Sequence, residues 1–422
     1  MSSTRREFLK SSLGTATLLS LAPGVPLFLD RTARAAAPQR NAGETVLVVV
    51  QLAGGNDGLN TVVPHADDRY GRSRDTLRLP AAKLHKIDDL LGFHPELSAV
   101  SRLYKEGLLS IVQGVGYPNP DQSHFTAMRA WQTARPKEPH CQTGWVGRVV
   151  DATARPNEPD VPAVFVGQIN QPFTLHAQRS VVPTLRKLED ATLRTPPGAD
   201  AERHRQRLAT AAAIAREGHE NRLLDFVARS ATAAYTTSRQ IEAAAKQLGG
   251  QAREYPPFQF AGHLRTVAQL IRAELGIRIF HVELGGEEPG GFDNHANQRD
   301  NHAALLRQFS ESLAAFLDDL RRDKLLDRVL VATYSEFGRT LEENGRRGTD
   351  HGSAAPVFLA GGRVTGGLVG PHPSLSQLEN GGPKHHTDFR RVYATLLDRW
   401  LGFDSRAILG ERFEALEVIR KA

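Results

Sequence analysis

Apolar residues in this chain fall into short unbroken runs, separated by stretches where they recur every three or four positions. Thr45-Val46-Leu47-Val48-Val49-Val50-Gln51-Leu52 is one such run, rich in β-branched side chains and followed by Gly54-Gly55. A run without polar alternation predicts a strand buried on both faces, the habit of parallel sheets. Leu108 to Val112, Val161 to Val166, Ile277 to Leu284, Val329 to Tyr334 and Val357 to Leu359 read the same way. Between several of them the period lengthens. Leu264, Val267, Ile271 and Leu275 share a helical face that stops at Gly276, a C-cap residue. Leu305, Phe309, Leu313, Phe316, Leu317 and Leu320 predict a long helix over Asn301 to Asp323. A last helix is expected over Asp388 to Leu401. Strands alternating with amphipathic helices predict an α/β fold, a mostly parallel central sheet flanked by helices. Residues 200–247 depart from this alternation. They are alanine-rich, charged and helical in pattern throughout, and read as a helical insertion.

The first residues follow a different logic. Thr4-Arg5-Arg6-Glu7-Phe8-Leu9-Lys10 sets paired arginines before an apolar residue, and a weakly apolar run extends from Leu13 to Leu29, broken by Pro23 and Pro26. Ala33-Arg34-Ala35 supplies small residues where a signal peptidase reads them. Residues 1–35 are thus expected to be a twin-arginine (Tat) signal peptide, which places the chain in the periplasm or outside the cell. The proline-broken run falls short of the roughly 20 apolar residues a membrane span needs. No stable membrane span is expected elsewhere either.

Composition narrows the rest. Hydrophobic residues at 40% and charged residues at 24% are globular values. The net charge of +6 changes meaning once the signal is set aside. Five cations (Arg5, Arg6, Lys10, Arg31, Arg34) against Glu7 and Asp30 give +3 there, leaving about +3, interspersed, for residues 36–422. That balance excludes the clustered basic face of a nucleic-acid binder. Cys141 is the only cysteine, so no intrachain disulfide can form and thiolate metal ligands are scarce.

The residues able to do chemistry follow the predicted strands, where open α/β sheets place their ligands. Gly54-Gly55-Asn56-Asp57-Gly58 presents Asp57 at the first strand's end, as a metal ligand or as a turn carboxylate bonded to amides. Ser123 stands at a helix start, where it caps the helix or serves as a nucleophile at the positive helix end. His124 beside it reads as ligand, base or packed ring. Further on come Asp293-Asn294-His295, Ser335-Glu336-Phe337-Gly338-Arg339, Asp350-His351 and His385-His386. Asp and His donors from four strand-end segments suit zinc, manganese or a similar divalent ion. Arg339 either neutralises a substrate oxygen through its planar fork or pairs with Glu336.

Leu52 to Thr61, Ser123-His124-Phe125 with Trp131-Gln132-Thr133, and Phe292-Asp293-Asn294-His295 with Asn297-Gln298 form a set of motifs. Ser335 to Thr340, Thr349-Asp350-His351-Gly352 and Thr387-Asp388-Phe389-Arg390 complete it. The set resembles a bacterial Tat-exported family known as domain-of-unknown-function family 1501, over nearly all of the chain after the signal. That family is in turn similar to the alkaline phosphatase and sulfatase superfamily. The resemblance implies one alkaline phosphatase-like α/β domain over residues 36–422, carrying the insertion at about 200–247. It implies two divalent metal ions (zinc, manganese, calcium or magnesium) flanking a hydroxyl or modified cysteine nucleophile.

Carried over by position, the resemblance makes Asp57 a ligand and Ser123 the nucleophile. Asp293 and His295 would hold one ion with His386 or His385, and Asp350 and His351 the other. The superfamily spaces its Asp and His more widely than Asp293 and His295, which leaves His302 as a substitute. The implied activity is metal-dependent hydrolysis of phosphate or sulfate esters, small or polymeric. The rival expectation is a non-catalytic periplasmic or surface binding or assembly protein with an exported partner. Besides these, only the Tat translocase is expected as a partner.

Replacing Arg5 and Arg6 with Lys should leave folded precursor in the cytoplasm, seen by cell fractionation and immunoblotting. Undiminished export of that variant would overturn the Tat assignment.

Overall fold

Val46, Val48 and Val50 turn to one face of the first strand, and Leu47 and Val49 to the other, with all five side chains buried. That alternation inside an unbroken apolar run requires packing layers on both faces, and the sheet supplies them. The computed structural model describes residues 44–153, 162–168, 170–187, 254–285 and 291–420. The expected signal segment and the helical stretch at 200–247 lie outside the described residues.

In chain order the strands of the main sheet are β1 (Val46–Leu52), β2 (Leu109–Gly116), β3 (Ala163–Val166), β4 (Thr184–Leu185) and β5 (Ile279–Leu284). They continue as β6 (Val329–Tyr334), β7 (Ala355–Gly361), β8 (Gly367–Val369) and β9 (Thr387–Asp388). The order across the sheet is β8-β2-β7-β6-β1-β5-β3-β4, with β9 paired to the end of β2. β1 is central, parallel to β5 on one side and β6 on the other. Only β7 runs against its neighbours β2 and β6, so β2 points the same way as β1, β5 and β6. The expected mostly parallel sheet is therefore present, with one reversed strand inside it.

The main helices are α1 (Ser98–Lys105), α2 (His124–Thr133), α3 (Trp145–Thr153), α4 (Gln259–Arg272), α5 (Gln298–Arg322) and α6 (Phe389–Ala394). Leu103, Leu264, Val267, Phe309, Leu313 and Phe316 bring α1, α4 and α5 onto the face of Val46, Val48 and Val50. Trp131, Trp145, Val149, Phe389 and Tyr393 bring α2, α3 and α6 onto the other. Each side chain buried in this way contributes roughly 1.5–3 kcal/mol relative to exposure. The last helix differs from expectation. It is α-helical only to Ala394 and widens to a π-helix over Thr395–Leu401. At that point Thr395 Oγ1 donates back to Arg391 O at 2.7 Å while accepting from Leu416 N, well outside the helix, at 2.7 Å, and such insertions loosen the helical ladder. No helix among the described residues is long and apolar enough to cross a membrane.

One polar node lies beneath the sheet's carboxyl edge. Asp57 caps the short helix Gly58–Thr61, accepting from Leu59 N at 3.2 Å and Asn60 N at 3.4 Å. Arg74 donates to its two oxygens at 2.6 and 3.0 Å, and Gln298 Nε2 donates at 2.5 Å. Arg74 also reaches Asn60 Oδ1, Thr340 O and Leu341 O, at 2.8, 2.9 and 3.1 Å. Burial alone would raise the Asp57 pKa, but the Arg74 guanidinium overrides it and holds the carboxyl below its ordinary value.

Removing one partner strands a buried charge, so Arg74→Ala should cost roughly 3–5 kcal/mol in urea unfolding. Because the folded pKa is depressed, the stability tied to Asp57 is present above the unfolded value of 3.8 and lost as pH falls below it. A cost within about 1 kcal/mol for Arg74→Ala would contradict this account.

Candidate metal centre

β1, β2, β5 and β6 all end at the same edge of the sheet, and each chain segment leaving that edge supplies part of one cluster. After β2 the chain reaches His124, the first residue of α2. After β5 come Asp293 and His295, and after β6 come Glu336, Arg339, Asp350 and His351. β1 contributes a backbone turn. Gly54 adopts φ +108°, and a Cβ there would stand 2.5 Å from Asp293 N, so only glycine lets the turn press against the Asp293 segment.

Asp293 is the centre of the cluster. Its Oδ1 lies 2.7 Å from Arg339 Nη2 and 3.1 Å from both His295 Nε2 and His351 Nε2. Its Oδ2 lies 3.3 Å from His124 Nε2. The ligand-type atoms of His124, Asp293 and His351 all fall within 4.8 Å of one another. Each imidazole is held from behind by its other nitrogen. His124 Nδ1 meets Glu336 Oε1 at 3.0 Å, His295 Nδ1 meets Asp350 Oδ1 at 2.9 Å, and His351 Nδ1 meets Gln122 O at 2.6 Å. Phe337 stacks on the His351 ring at 4.3 Å and packs against His124 at 5.0 Å.

These contacts decide the protonation pattern. Carboxylates and carbonyls only accept, so each Nδ1 carries a hydrogen and each ring turns its Nε2 toward Asp293. His295 Nε2 and His351 Nε2 are 2.8 Å apart. Such an arrangement repels unless a cation or a shared proton lies against it. His124 Nε2 is buried without a hydrogen bond of its own. The neighbouring Asp293 and then Glu336, acting against burial, push the His124 pKa up to about 9. Burial opposes the charge on Asp293, yet His124, His351 and Arg339 hold its carboxyl far below the usual carboxylate range. The His295 hydrogen bond likewise holds Asp350 low.

The donor set fits a metal ion. His295 Nε2, His351 Nε2 and Asp293 Oδ1 lie 2.8–3.1 Å from one another, close to the edge of ~3.3 Å of a tetrahedron with zinc-like bonds, and the ligand atoms of His124 fall within 4.8 Å of those of Asp293 and His351. Three imidazoles and one carboxylate suit zinc or a first-row neighbour better than calcium or magnesium, which favour all-oxygen shells. The Nδ1 partners are the outer acceptors that orient ligating histidines in such sites.

The structure thus gathers Asp293, His295 and His351 from the expected set, and places Asp350 behind His295. The one-residue spacing suffices for Asp293 and His295 to meet. The other residues lie elsewhere. Asp57 spends both oxygens on Arg74, Gln298 and helix amides. His386 bonds Pro371 O and Thr387 Oγ1, each at 3.0 Å, beside the end of β2. His385 lies 3.4 Å from Glu379. His302 is buried against Asn56 Oδ1 at 3.0 Å, and burial lowers its pKa to about 4. Ser123 is exposed at the start of α2 with no side-chain capping bond. Arg339 pairs with Asp293 rather than Glu336. Its remaining N–H groups go to Gly55 O at 2.7 Å, Phe292 O and Thr349 O at 3.0 Å, and Gly54 O. The guanidinium is thus buried and committed to Asp293 and the surrounding turns. Sequence reasoning left His124 undecided and gave Glu336 only a pairing with Arg339. The Glu336 signal was its place one residue beyond Ser335, directly after a strand.

A family described as "Protein of unknown function (DUF1501)" matches residues 44–412. No curated protein matches the chain. Among solved structures it is similar to the PsFucS1 sulfatase from Pseudoalteromonas sp., at 11% identity and a TM-score of 0.36, over 92% of this chain and 73% of that one. It is also similar to the C-terminal periplasmic domain of EcEptC from Escherichia coli, in complex with Zn, at 10% identity and 0.34 over 76% and 74%. The lipoteichoic acid synthase LtaP from Listeria monocytogenes gives 10% and 0.35 over 89% and 78%. What those proteins bind or act on belongs to them, and the reading of this chain rests on its own side chains.

Glu336→Gln keeps an acceptor for Gly54 N, which Glu336 Oε1 meets at 2.8 Å, but weakens the hold on His124. Zinc affinity by titration calorimetry should fall roughly 10–100-fold, with circular dichroism unchanged. Equal affinity would remove Glu336 from the centre.

Proposed function

The chain belongs to the DUF1501 family of proteins of unknown function, and from its own side chains we propose that it is a metal-dependent hydrolase of phosphate or sulfate esters. The observation that carries this reading is the convergence of His124, His295 and His351 on Asp293, each ring oriented by its Nδ1 partner. Among the described residues the donors gather in one cluster, which favours a single ion over the pair implied by the superfamily resemblance. An ion held there supplies Lewis acidity toward an ester oxygen.

The chain's own groups account for the rest. Ser123 is exposed, makes no side-chain cap, and directly precedes His124. In this reading its Oγ bonds phosphorus or sulfur as the ester P–O or S–O bond breaks, its proton leaving with the alcohol, and water later frees the serine. The backbone N–H groups at the start of α2 favour the anionic group at the same point. Arg339 acts by fixing Asp293, which its buried guanidinium holds at 2.7 Å. Export by the twin-arginine signal would bring this chemistry to substrates in the periplasm or outside the cell.

The purified mature chain should hold about one equivalent of zinc or manganese by mass spectrometry and hydrolyse p-nitrophenyl phosphate or sulfate. Asp293→Ala should lose both metal and turnover. Ser123→Ala should keep the metal and lose at least ~100-fold in turnover. Bound metal without any turnover would instead favour the binding or assembly role on the same core.

A further inference from the structure

Hydrolysis at this centre leaves the organic part of the ester unspecified, and the rim of the cluster bears on it. Four large hydrophobic side chains are exposed among the described residues: Leu90 at 64%, Phe125 at 77%, Val181 at 40% and Leu378 at 42%. Two of them stand on segments fastened to the cluster. Phe125 follows His124 directly and lies two residues beyond Ser123. Gln122 Nε2 donates to His351 O at 2.8 Å and to Asn380 O at 3.4 Å, and Asn380 Nδ2 donates to Pro120 O at 2.9 Å. These bonds pin the Pro120–Ser123 segment both to the cluster and to the tip of the Leu378–Glu379/Gly382–Pro383 hairpin, which begins at Leu378.

Isolated surface hydrophobics are ordinary, but Phe125 stands next in the chain to His124 of the cluster, at the start of α2. Phe125 is also the only aromatic among the four. Its neighbours Asp121, Gln122, Ser123 and Thr126 are polar and exposed, so the ring is an apolar island on a polar rim. A phenyl face held at a fixed site is well suited to stacking or edge contact with a second ring. The rigid attachment of its segment means little ordering remains to be done on binding.

We propose that Phe125 determines specificity at this site, its exposed ring taking the ring of an aryl phosphate or aryl sulfate ester. The inference rests on the ester-hydrolase reading, which names the anionic end of the same substrate. Phe125 touches the leaving group's ring and takes no part in bond making.

Equilibrium binding of non-hydrolysable probes to the metal-loaded mature protein tests it. Wild type should bind phenylphosphonate about tenfold more tightly than methylphosphonate. In Phe125→Ala that ratio should fall to near one, and Phe125→Trp should preserve it. With p-nitrophenyl substrate, Phe125→Ala should raise KM more than it lowers kcat, as loss of ring binding requires. An unchanged ratio in Phe125→Ala, or equal binding of the two probes by wild type, overturns the role of Phe125 alone. Failure of wild type to bind either phosphonate overturns the hydrolase reading and this inference with it.

Discussion

The buried guanidinium of Arg339 is the contact on which the rest of the site depends. Its side chain is 2% exposed as a residue, and its donors reach the backbone of three separate turns and the carboxylate of Asp293. Those turns follow β1, β5 and β6, adjoining strands of the sheet. A guanidinium offers five N–H groups in a rigid plane, whereas an ammonium offers three from a point. Only the former can bind carbonyls on several sides at once. Each carbonyl left unpaired in such a place would cost about 1–3 kcal/mol, so the clamp is as much a folding device as a chemical one. Gly54 completes it from the far side, its missing side chain letting the β1 turn close on the Asp293 backbone.

From that clamp the site is built outward in shells. Asp293 is immobilised by Arg339, and three imidazoles face Asp293. Behind them stand Glu336, Asp350 and the Gln122 carbonyl. Charge is balanced in the same order. Arg339 offsets Asp293, while the carboxylates behind His124 and His295 make those rings better donors. Three imidazoles drawn to one carboxylate gather ligand atoms that a cation would satisfy. The Asp57–Arg74 pair satisfies a similar demand within itself, which is why a carboxylate so close in sequence to Gly54 takes no part.

Much of the architecture was legible in the sequence because burial on both faces leaves unbroken apolar runs. Val329–Tyr334 was bounded to the residue, and Val46–Leu52 to within one. The reversal of β7 was not legible, since an apolar run carries no direction. The π-helical turn at Thr395 was hidden because it depends on a bond from Leu416. At the site, the pairing of Asp293 with His295 was visible as a motif. The roles of Asp350 and Asp57 were not, because an Asp in a loop reads alike as ligand, helix cap or ion-pair partner. Arg74 is the partner that decides for Asp57, and no local pattern announces it. Residues 1–35 and 200–247 lie outside the described residues.

The central position of β1 also governs the order in which the protein can be made. Leu47 lies between Ile279 on β5 and Leu330 on β6. β1, the first strand among the described residues, thus gains these neighbours only after most of the remaining chain has followed. At about 5–20 residues per second, that wait lasts some tens of seconds. For that interval an apolar β-branched segment has two open edges, the condition in which strands pair with the wrong partner. Until β6 is complete, one edge of β1 lacks the partner that covers it in the folded sheet.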